Sequence, residues 1–116
     1  GKRASGLEPE RFYHGFVLGL LVELRGRYLI CSNRESGFGR YDVLLEPVDP
    51  KADDGIVLEF KVHNPRKEAT LEDTVSAAKQ QIADKRYASE LEAKGLPPER
   101  IHAYGFAFEG KRVLIG

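Results

Sequence analysis

Ile56-Val57-Leu58-Glu59-Phe60-Lys61-Val62 is the stretch on which the fold turns. Its β-branched and aromatic residues sit between Asp53-Asp54-Gly55 and His63-Asn64-Pro65, so it predicts a strand bounded by turns. Side chains alternate faces along a strand, which puts Leu58, Phe60 and Val62 on one face and Val57, Glu59 and Lys61 on the other. A carboxylate and an ammonium therefore point the same way, about 7 Å apart along the chain. Upstream, Arg40 to Glu46 predicts another strand, with Tyr41, Val43 and Leu45 as its apolar face. Pro47 to Gly55 reads as the turn between them, so the two strands pair as an antiparallel hairpin and Asp42 stands beside Glu59.

Working outward, Glu10 to Leu24 predicts a helix, because Phe12, Phe16, Leu20 and Leu24 recur every four residues and Val17 and Leu21 widen the stripe. Glu8, Pro9 and Glu10 suit its start, and Gly26 its end. A strand follows over Arg27 to Ser32, then a turn-rich stretch from Ser32 to Gly39. Thr70, with Asp73 in the capping-box position, opens a second helix with Leu71, Val75, Ala78 and Ile82 on one side. The pattern predicts that this helix runs to about Lys94 and stops at Gly95. Ile101 to Phe108 and Lys111 to Ile115 complete the order as strands around the Glu109-Gly110 turn. The chain thus reads as helix, three strands, helix, then one or two strands, an α/β (α+β) arrangement. Residues 1–9 read as a flexible leader before a domain expected to span 10–116.

The chain of 116 residues has the length of one ordinary domain, with 41% hydrophobic and 31% charged residues. No run approaches the roughly 18 apolar residues that a membrane span needs, since Glu23 and Arg25 close the stretch from Phe16. Neither a membrane partner nor a signal segment is expected. The lone Cys31 reads as a small hydrophobe within a strand and fits a reducing compartment, so a cytoplasmic location is expected. A chain that starts at Gly1 without methionine reads as an excised piece of a longer protein. Net charge is zero, which argues against a grip on DNA by bulk electrostatics.

Other motifs fail on spacing. Gly37-Phe38-Gly39 lacks a third glycine and precedes a strand, so it is no dinucleotide loop. Phosphate-loop and serine-nucleophile signatures are absent. Aligning Gly55 on a calcium loop places Pro50 and Ala52 at ligand positions. His14, His63 and His102 have no zinc-ligand spacing.

Two converging carboxylates and a lysine suit metal-assisted phosphate chemistry. Hard oxygen ligands hold Mg²⁺, the metal activates water, and the lysine orients that water or neutralises developing charge. Acid-x-Lys by itself decides little, because it recurs at Asp49-Lys51, Glu92-Lys94 and Glu109-Lys111. On a solvent-facing strand it would be an ordinary ion pair. Only at Glu59 is it inside an apolar strand with an acid on the hairpin partner.

Glu10 to Gly15, the run from Ser32 through Gly39-Arg40-Tyr41-Asp42, Val57 to Lys61, and Ala78-Lys79-Gln80-Gln81-Ile82 together resemble the PD-(D/E)XK nuclease superfamily. Within it, the likeness is to a branch commonly found C-terminal to an ATPase-like domain. It implies a restriction-endonuclease-like core, a mixed sheet flanked by helices, and a nuclease acting on DNA, duplex or branched, with Mg²⁺ or Mn²⁺. By the same resemblance, Asp42, Glu59 and the Phe60 carbonyl would ligate the metal, and Lys61 would assist the attacking water. Glu10 would take an outer or second-metal role, and Gln81 would reach the phosphate or the lysine. Tyr41 stands where the superfamily's name has proline.

Each accessory residue has a plainer reading. Glu10 also suits the helix dipole, Gln81 a solvated face, and Arg40 a surface ion pair as well as a phosphate contact. His14, one turn after Glu10, either lines the site or is solvated. Arg66, Lys67, Lys79, Lys85 and Arg86 are interleaved with acids, as on a solvated face. The rival function is a non-catalytic module serving a neighbouring ATPase-like domain. A homodimer through the terminal hairpin is a further alternative.

Overall fold

The computed structural model of the protein describes residues 15–34 and 39–116. The expected leader, Glu10, His14, the start of the first helix and the middle of the Ser32–Gly39 turn lie outside the described residues. The chain order is helix α1 (residues 15–24), β1 (Tyr28–Arg34), β2 (Arg40–Pro47), β3 (Gly55–Val62), α2 (Leu71–Lys85), α3 (Tyr87–Ala93), β4 (Ile101–Glu109) and β5 (Arg112–Ile115). The strands form one sheet in the order β1-β2-β3-β4-β5. Among the described strands only β3 and β4 run parallel, joined by the helical crossover; the other pairs are antiparallel.

Alternation along the strands builds a core on each side of the sheet. Val43, Leu45, Leu58, Phe60, Phe106 and Phe108 meet Val17, Phe16 and Leu20 of α1. On the other side, Leu44 and Val57 meet Ile82, Tyr87 and Leu91 of α2 and α3. A strand buried on both faces explains why β3 is nearly continuous in apolar residues around its two charges.

Helix α2 starts where expected. Thr70 Oγ1 accepts from the Asp73 N–H at 3.2 Å, and the Asp73 carboxylate accepts from the Thr70 N–H at 3.2 Å, a closed capping box. Ala103, Gly105 and Ala107 give β4 a low profile towards this helix. A Cβ on Gly105 would stand 2.9 Å from the Val75 carbonyl oxygen and 3.0 Å from Ala78 Cβ, so α2 lies almost against the strand backbone. Gly39, at φ +80°, lies against Val62: its carbonyl accepts from the Val62 N–H at 2.8 Å, which extends the β2–β3 ladder one residue past Lys61, and a Cβ there would stand 2.9 Å from Val62 Cβ.

Two expectations are corrected. The second helix does not run unbroken to Lys94; Arg86 adopts a left-handed conformation at φ 55° and divides it into α2 and α3. The break re-aims the chain so that Tyr87 and Leu91 reach the core, which a straight helix continuing the Ile82 stripe would prevent. Cys31 is within β1 but exposed, because β1 is an edge strand and α3 leaves an open groove over it.

Candidate active site

Asp42 and Glu59 face each other across the β2–β3 ladder, on the α2/α3 side of the sheet. Asp42 is 2% exposed and Glu59 0%. Directly opposed acids repel one another, and low dielectric strengthens the repulsion. A shared cation turns that repulsion into attraction, and paired carboxylate oxygens are the donors a hard divalent ion prefers. The donor set therefore fits such an ion, although among the described residues no third His, Cys, Asp or Glu joins the pair. On its other flank Glu59 lies beside Gly105, over which Ala78 and Lys79 of α2 pack closely.

The Tyr87 hydroxyl donates to Oδ2 of Asp42. That bond spans from the first turn of α3 to the middle of the sheet, and the left-handed Arg86 makes it geometrically available. Phe60, between the two charged residues, turns its ring to the α1 side, where it lies 4.9 Å from the Phe106 ring centroid.

Lys61 stands opposite Arg40 on β2 and Ala107 on β4, on the same face as Glu59 and only 9% exposed. Its ammonium donates to Glu68 Oε2 at 2.6 Å. Glu68 comes from the loop between β3 and α2, and its Oε1 accepts from the Asn64 N–H at 2.8 Å and the Thr74 hydroxyl at 3.0 Å. Because that hydroxyl spends its one proton on Glu68, the 2.7 Å contact with His63 requires His63 Nδ1 to donate. Burial pushes the Glu68 carboxyl upward, yet the bonds from Lys61, Asn64 and Thr74 outweigh it and hold the group below its ordinary 4.5. An acid lowered in the folded state adds stability that is complete above its unfolded pKa and lost as pH falls through the lower folded one. The parent is therefore expected to melt above Glu68→Gln at pH 7, with the gap closing as pH falls below the ordinary 4.5 and through the lowered folded value. Thermal melts across that range check it.

Arg40 is half-buried, and its Nε is a buried donor with no hydrogen-bond acceptor among the described residues. Gln81 is half-buried on α2, one residue before Ile82; among the described residues no hydrogen bond ties it to Asp42, Glu59 or Lys61. Glu10 and His14 are outside the described residues. His102 and Arg100 bind the Asp54 carboxylate at 2.7 and 2.9 Å, so that acid belongs to an ion-pair clamp at the far end of β3.

Sequence reasoning missed Tyr87 and Glu68. Tyr87 left a trace, because Ile82 to Tyr87 breaks the three-four spacing of the α2 stripe while Tyr87 to Leu91 resumes it. Glu68, within Arg66-Lys67-Glu68, left none.

A mixed five-stranded sheet between helical layers, with an acid on each of two paired strands and a lysine two residues beyond, is the restriction-endonuclease-like α+β fold. The family model of the PD-(D/E)XK nuclease superfamily matches residues 8–116, and the chain belongs to that superfamily. Membership supports a nuclease-type function, and such nucleases typically use divalent metals. No curated protein and no solved structure matches the chain. Among the described residues no helix is long and apolar enough to cross a membrane.

Proposed function

We propose that this domain is a divalent-metal-dependent nuclease that hydrolyses DNA phosphodiester bonds. The observation that carries the reading is the buried, face-to-face placement of Asp42 and Glu59 with Lys61 on the same face. The two carboxylates and the Phe60 carbonyl would hold Mg²⁺ or Mn²⁺, with Glu10 in an outer or second-metal role. When bound, the ion supplies charge stabilisation at the phosphate and lowers the pKa of a bound water. Tyr87 fixes the Asp42 carboxylate in one orientation. The Lys61 ammonium orients the attacking water or neutralises charge on the phosphate. Arg40 brings a desolvated donor to the same region, suited to a phosphate oxygen. Gln81 approaches from α2 as a further contact to the phosphate or the lysine.

The test is cleavage of supercoiled and branched DNA with Mg²⁺ or Mn²⁺. The parent is expected to cut, chelation to stop it, and Lys61→Ala to lower the rate by about a hundredfold or more. A Lys61→Ala protein that cuts like the parent would remove the lysine from the site.

The second reading is a non-catalytic module serving a neighbouring ATPase-like domain. It is favoured by the net charge of zero, which leaves the domain without a general electrostatic grip on nucleic acid. Calorimetry separates the two: heat of Mn²⁺ binding that disappears in Glu59→Gln supports the nuclease, and its absence from the parent supports the module.

A further inference from the structure

We propose that Glu68 is a positioning residue for Lys61, fixing its ammonium for the reaction that Asp42 and Glu59 serve. The proposal rests on the nuclease reading and extends it to a loop residue outside the strand pair. Glu68 is 9% exposed, and both of its carboxylate oxygens are engaged. Its anchors are themselves fixed. The Asn64 carbonyl accepts from the Lys67 and Glu68 N–H groups at 3.1 and 2.8 Å, closing the turn. Thr74 is fully buried in the first turns of α2. The carboxylate is thus clamped from the turn and from the helix before it meets the ammonium.

A lysine side chain is long and has many rotamers, and placing its charge to within a fraction of an ångström means removing most of them. A clamped acceptor 2.6 Å from Nζ does this. The ammonium carries three protons. Glu68 takes one, and the Val62 carbonyl lies 3.5 Å away, a long contact that uses the donor capacity only weakly. Capacity remains for a water or a phosphate oxygen. Glu68 is brought in from the loop with its own hydrogen bonds, so the acceptor that meets the ammonium is set independently of the strand pair.

The experiment combines turnover with a spectrum of the lysine side chains in the intact domain. With Mn²⁺ and supercoiled plasmid, Glu68→Ala is expected to lose about tenfold or more in kcat with KM little changed. In ¹⁵N-lysine protein, a slowly exchanging ammonium signal, assigned by its loss in Lys61→Ala, is expected in the parent and gone in Glu68→Ala. If the role is merely structural, Glu68→Ala melts lower but keeps the parent's kcat when assayed well below its midpoint, and the proposal is overturned. Should Glu68→Ala fail to fold, Glu68→Gln carries the test. It keeps the shape without the charge and is expected to lose kcat several-fold and to exchange its ammonium protons faster; parent-like values of both would overturn the proposal. An inactive parent would take the proposal down with the nuclease reading, whereas an active parent beside an unaffected Glu68→Ala would overturn the proposal alone.

Discussion

Asp42→Asn and Glu59→Gln are each expected to lower the cleavage rate by about a thousandfold while leaving the fold intact. Both substitutions keep shape and hydrogen-bonding atoms, so packing against Tyr87 and Gly105 survives, but each halves the charge offered to a divalent ion. A second readout needs no turnover. A ligand that binds only the folded state stabilises it by RT ln(1 + [L]/Kd), about 2.7 kcal/mol at a hundredfold excess over Kd. Saturating Mn²⁺ should therefore raise the melting temperature of the parent by roughly 10 °C and move either variant far less. An equal shift in parent and variants would place the ion elsewhere on the chain. Cleavage undiminished in Asp42→Asn would remove that acid from the reaction.

Phe60→Ala is expected to be the most damaging single truncation for stability, costing about 3–5 kcal/mol. Its ring is fully buried and lies within 4.9 and 6.2 Å of the Phe106 and Phe108 centroids. Truncation would open a void between the sheet and α1 that strands fixed by ladders on both sides cannot close. The midpoint should fall by roughly 15 °C or more. Phe60→Leu, which fills most of the same space, should cost about 1 kcal/mol and retain cleavage, because the backbone carbonyl between Glu59 and Lys61 is untouched. Denaturant titration of the pair measures the side-chain packing apart from that carbonyl. A Phe60→Ala midpoint near the parent's would contradict the packing described for the α1 side.

A run of β-branched and aromatic residues between turn signals made β3 legible from the sequence, and with it the opposition of Asp42 and Glu59, because a hairpin fixes register through its turn and its apolar face. The capping box at Thr70 was equally plain. The break at Arg86 was harder to read, since neither glycine nor proline marks it; tertiary packing of Tyr87 and Leu91 overrides the local preference of a lysine-arginine pair for continuing the helix. Glu68 illustrates a different limit. Its partners are Lys61 seven residues back and Thr74 six residues on, brought together by a loop whose course follows from the crossover and not from any periodicity. Burial of Lys61 itself was likewise invisible, because nothing in Glu59-Phe60-Lys61 says how closely α2 descends onto β4.

The parallel pairing of β3 with β4 has a consequence for how the chain folds. The β1-β2-β3 meander is made of neighbours in sequence and closes short loops, whereas β4 reaches β3 only after the whole segment from His63 to Arg100 has been laid across the sheet. Pairings of long sequence separation are made late and slowly. The strand bearing Glu59 and Lys61 thus acquires one flank early and the other at the end. In the interval its unpaired edge and two charges face water together, and the interior that makes them chemically useful exists only once β4 has docked.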